Sequence, residues 1–174
     1  GIVVLIISNP TGYTMRSFSI ESNGRLENTA VYYNGEQLGG IKEIFLNLEE
    51  DGTFDSVIRY EGTDKNMYTK QIFHDYFENI KIRPAAFDEE EAQNLQLLTI
   101  ESDGDIENTV VFRNDQPLDG LISLLVHVKN GAAKDGGIKS LFSRAPATSE
   151  PITFRAELTF RNDDGSTEVE GVFS

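Results

Sequence analysis

Two short stretches of this chain carry residue types that chemistry often uses, and they are nearly the same stretch. Glu27-Asn28-Thr29 returns as Glu107-Asn108-Thr109, 80 positions further on. Paired carboxylates such as Glu27 and Glu107 form a glycosidase dyad when they face each other across a glycosidic bond. That requires the two stretches to meet. Strand alternation puts Asn28 and Asn108 among inward apolar residues, where an unpaired amide costs roughly 1–3 kcal/mol. One reading is a pair of symmetric ligand sites made from Glu27, Asn28, Glu107 and Asn108, as in a carbohydrate-binding module or weak hydrolase. The plainer reading, which we favour, is an asparagine in each stretch that ties down a turn or β-bulge.

Other chemistry is sparse. There are two histidines, His74 and His127, and no cysteine, which removes disulfides, thiol nucleophiles and thiolate metal sites. His127 reads as a surface or interface histidine in mid-strand, and His74 as a turn or cap residue beside Asp75. Gly-x-Ser-x-Gly, Gly-x-Gly-x-x-Gly and P-loop patterns are absent. Acidic turns recur at Glu49-Glu50-Asp51-Gly52, Asp103-Gly104-Asp105 and Asp163-Asp164-Gly165. Calcium favours clustered hard oxygens, but Asp-Gly is also ordinary turn chemistry and none of these fits an EF-hand loop. We expect no catalytic residue, cofactor or metal site, and lean away from an enzyme.

The basic residues suggest a partner. The chain carries 15 Lys and Arg against 29 Asp and Glu, a net charge of −14, which argues against nucleic acid. One stretch, 129–150, runs against that balance. There Ile138, Leu141 and Phe142 follow helical spacing beside Lys134, Lys139 and Arg144, a candidate partner-binding loop for another protein or for self-association. The apolar run 2–7 is far short of the ~20 residues that span a bilayer. The composition fits the cytosol and export equally.

The elements that position these residues are written in a repeat. Residues 20–29 match 100–109, and the match continues through Val31/Val111, Asn34/Asn114, Leu38/Leu118 and Gly40/Gly120 at a shift of 80. After the insertion it resumes at a shift of 100, as in Thr53-Phe54 against Thr153-Phe154. Such self-similarity implies two folded units of one kind. Period-two alternation dominates both, with Ile44, Leu46, Leu48 answering Leu124, Val126, Val128. Asn23-Gly24 and Asp103-Gly104 read as two-residue hairpin turns, as do Asn34-Gly35 and Asn114-Asp115. Further strands are expected at 2–7 and 77–82. Asp88 and Glu91 spell a capping box for one short helix. Val31, Val111, Phe45 and Leu125 break the expected polar faces and imply that those faces are covered.

The expected fold is all-β: two tandem homologous antiparallel sandwich- or barrel-like units related by a pseudo-two-fold, with a short helix in the connection. The units are 1–80 and 81–174, the second carrying the insertion 129–150. The expected function is a non-enzymatic interaction or structural module, or an acidic protein that sequesters a basic partner.

Overall fold

The computed structural model describes residues 15–130 and 153–173. The strand expected at 2–7 and the candidate loop residues Lys134, Ile138, Lys139, Leu141, Phe142 and Arg144 lie outside them. The chain is predominantly β, in two antiparallel sheets. In order come β1 (Arg16–Ser22), β2 (Ala30–Tyr33), β3 (Glu36–Gly39), β4 (Ile41–Glu49), β5 (Phe54–Glu61), β6 (Met67–Gln71) and β7 (Lys81–Arg83). A short helix α1 (Glu89–Ala92) precedes β8 (Gln96–Ser102), β9 (Val110–Arg113), β10 (Gln116–Pro117), β11 (Leu121–Lys129), β12 (Thr153–Arg161) and β13 (Thr167–Gly171). The first sheet runs β10-β9-β8-β1-β2-β3-β7, and the second β13-β12-β11-β4-β5-β6.

Each sheet draws strands from both halves of the chain, joined at its centre. In the first sheet β1 pairs with β8, and Ser19 faces Thr99. In the second β4 pairs with β11, and Leu46 faces Val126. Both pairs join residues 80 apart in sequence. β7, which follows residue 80, pairs with β3 at the edge of the first sheet.

Alternation turns one face of each sheet inward. Phe18, Ile20, Leu98 and Ile100 from the first sheet meet Ile44, Leu46, Leu124 and Val126 from the second in one buried cluster. Each fully buried side chain of this size contributes roughly 1.5–3 kcal/mol. The chain passes between sheets at Gly40 and Gly120, both at φ +76°. A Cβ on Gly40 would lie 2.5 Å from Glu61 O, and one on Gly120 3.1 Å from Arg161 O. Both the positive φ and the close approach favour glycine.

Two turns and one helix form as expected. Asn34 and Gly35 both take positive φ, as do Asn114 and Asp115, which is the two-residue hairpin geometry whose twist suits the strands. Asp88 accepts from Glu91 N at 2.8 Å while Glu91 Oε1 accepts from Asp88 N, completing the capping box of α1. Asn23-Gly24 and Asp103-Gly104 are not two-residue hairpins. Only the glycine has positive φ, and 3-10 turns Leu26–Asn28 and Ile106–Asn108 follow. That insertion reverses the strand parity. Val31 pairs with Ile20 and Val111 with Ile100, so both face the core at 7% and 8% exposure. Their expected outward placement is therefore corrected. Phe45 and Leu125 do lie on the outer face of the second sheet, where the His127 ring meets Phe45 edge-on at 5.5 Å.

Candidate functional site

The repeated Glu-Asn-Thr stretch is shaped by its threonine. Ser22 is fully buried; its Oγ lies 2.7 Å from Thr29 Oγ1, and Thr29 donates to Arg25 O at 2.7 Å. Since Thr29 spends its proton there, Ser22 donates to Thr29 and accepts from Gly24 N at 3.0 Å. The same chain recurs through Ser102, Thr109, Asp105 and Gly104, at 2.7, 2.8 and 2.9 Å. Side-chain hydroxyls thus satisfy backbone groups that a tight hairpin would pair with each other. This is why the corner opens into a 3-10 turn.

The asparagines are not inward strand residues. Asn28 is half-buried and Asn108 exposed, both within 3-10 turns. Asn108 donates to Asp103 Oδ2 at 3.0 Å. Glu27 is exposed and lies 3.1 Å from Arg25 Nε. Glu107 is exposed too and lines a cleft.

Among the clefts beside these corners, two correspond to each other. The first, about 210 Å³, is lined by Leu26, Thr29, Val31, Ile41, Lys42 and Ile44, together with Arg83 and Val128. The second, about 320 Å³, is lined by Ile106, Thr109, Val111, Leu121, Ile122 and Leu124, together with Leu48 and Glu107. The first six residues of one set stand 80 positions from the first six of the other. Each cleft also borrows its far wall from the opposite half, Val128 in one and Leu48 in the other. Neither cleft holds both Glu27 and Glu107, so neither is a carboxylate dyad.

The clefts differ in what rims them. In the first, Lys42 and Glu43 stand where the second has Ile122 and Ser123. Glu43 is engaged by His127 Nε2 at 2.7 Å and approached by Arg59 Nε at 3.7 Å. Arg83 arrives on β7 and crosses Gly39 so closely that a Cβ there would lie 2.5 Å from its Cδ. The second is floored by aliphatic groups and rimmed by Glu49, Glu50 and Glu107. Glu50 accepts from both terminal nitrogens of Arg161, at 2.6 and 3.1 Å, which holds its carboxyl below the ordinary carboxylate value.

The acidic turns use their carboxylates locally. Asp51 Oδ1 accepts from Thr53 N and Oγ1, and Asp164 Oδ1 from Ser166 N and Oγ; these bonds lower both carboxyl pKa values. Among the described residues no group of three or more His, Cys, Asp or Glu is placed to hold a metal, and no helix is long and apolar enough to cross a membrane. His74 is exposed, its ring edge-on to Phe54 at 6.1 Å. Sequence reasoning missed the clefts because each is completed across the β4–β11 seam. In comparisons with known proteins, no family model, curated protein or solved structure matches the chain.

Proposed function

We propose that the chain is a non-enzymatic protein-binding module, built by tandem duplication of a unit of about 80 residues. The two copies, falling near 1–80 and 81–174, are related by a pseudo-two-fold axis through the Ser19–Thr99 and Leu46–Val126 pairs. Two facts support the duplication: those pairs face residues of the same offset, and the two clefts share it along their walls.

The binding reading rests on one observation, the aliphatic cleft beside Ile122. Apolar surface at a concave site rimmed by charge is the usual composition of a recognition patch. The net charge of −14 favours a basic partner, which would make the module an acidic sequestering protein. Affinity-tagged protein taken from its native extract is expected to carry a near-stoichiometric partner at low salt and to lose it at high salt. Recovery of the protein alone, or of a partner indifferent to salt, counts against the basic-partner form; the first outcome sinks the module altogether.

A further inference from the structure

The two ends of the first sheet treat the same strand position in opposite ways. β3 is covered by β7, with Gln37 facing Arg83 and Gly39 facing Lys81. Among the described residues β10 has no neighbour on its outer side. Leu118 donates its N–H inward to Val111 O at 3.1 Å, so the adjacent Pro117 faces outward. Proline has no N–H to offer an added strand, which blunts this edge against ladder pairing. Pro117 stands at the position of Gln37, and Asp119 at that of Gly39. An exposed carboxylate thus replaces the bare backbone over which Arg83 lies in the first half.

We propose that the second cleft binds an extended segment of a partner protein by its side chains. An aliphatic or aromatic residue enters between Ile106, Val111, Leu121 and Ile122. An arginine or lysine beside it, taking the course that Arg83 takes at the other end, meets Asp119 and Glu107. This deepens the protein-binding reading and rests on it. The argument is charge complementarity against an internal template. Where the chain supplies its own cation, the floor carries Lys42 and the strand carries Gly39. Where no Lys or Arg is among the described residues lining the cleft, and Arg161 is held on Glu50 at the rim, the floor carries Ile122 and the strand an acid. Burying the apolar side chain supplies affinity, and the rim charges supply orientation and salt dependence.

The test uses a fluorescent peptide copying residues 78–86, which contains Ile80-Lys81-Ile82-Arg83, titrated into the whole protein and followed by anisotropy. Ile122→Lys places at the cleft floor the residue its counterpart already carries, and Asp119→Lys changes an exposed position. Each is expected to weaken binding by about tenfold. A peptide with Glu for Arg83 and Ser for Ile82 is expected not to bind. Unchanged affinity in both variants overturns the proposal, since a peptide that merely displaced β7 from β3 would ignore them; the module reading then survives at another surface. Failure of the wild-type protein to bind the peptide also overturns the proposed cleft chemistry. The module reading is judged separately by whether a partner accompanies the protein from its extract.

Discussion

The end of the sandwich built around β3 and the end built around β10 line their clefts with residues 80 positions apart, yet β3 is covered by a strand while β10 has no outer neighbour among the described residues. β3 has β7 laid along it, with Lys81 reaching Glu61 at 3.3 Å. At the other end Arg161 occupies the position of Glu61 and turns across the seam to Glu50. The contrast needs few changes: Pro117 for Gln37, Asp119 for Gly39, and Ile122 for Lys42. None of these positions lies in the shared core, so each can vary without disturbing the seam. That is how one scaffold carries two different surfaces.

The largest effects should come from what the ends have in common. Ile20 and Ile100 are both fully buried at the seam. Replacing either by Ala is expected to cost about 2–5 kcal/mol in denaturant unfolding, through a single cooperative transition. Two separate transitions, or loss confined to one half, would break the picture of shared sheets.

A smaller effect separates the corners. Alanine at Gly40 or Gly120 meets the same φ of +76°, a strain of roughly 1–3 kcal/mol. Only at Gly40 does the new Cβ also press to 2.5 Å from a backbone oxygen, against 3.1 Å at Gly120. Gly40→Ala should therefore lower Tm more than Gly120→Ala. Equal losses would mean that backbone strain alone sets the cost.

The smallest effect concerns Glu50. Its folded pKa is depressed by Arg161, so the ion pair contributes stability above the pKa of an unfolded glutamate and loses it as pH falls through the depressed value. Glu50→Gln should be slightly less stable than wild type at neutral pH, with the gap closing in acid and in high salt, because the pair is exposed. A gap that persists in strong acid would point to lost packing instead.

Legibility in the sequence followed the range of the interaction. Asn34-Gly35 and Asn114-Asp115 were readable because the turn needs only residues that tolerate positive φ, and the α1 cap because both partners lie within four residues. Asn23-Gly24 looked the same and took another geometry, since Ser22 and Thr29, seven positions apart, tie the corner. That one hydroxyl pair displaced Asn28 from a strand and turned Val31 inward, and its counterpart did the same for Val111.

Alternation of apolar residues was enough to determine a predominantly β chain of antiparallel strands, since a strand's faces are settled by its own residues. The central pairing of β1 with β8 and β4 with β11 was decided only in the tertiary structure, and so were the clefts. Their walls come from residues as distant as Leu48 and Ile122, and it is the packing of one sheet on the other that brings them together.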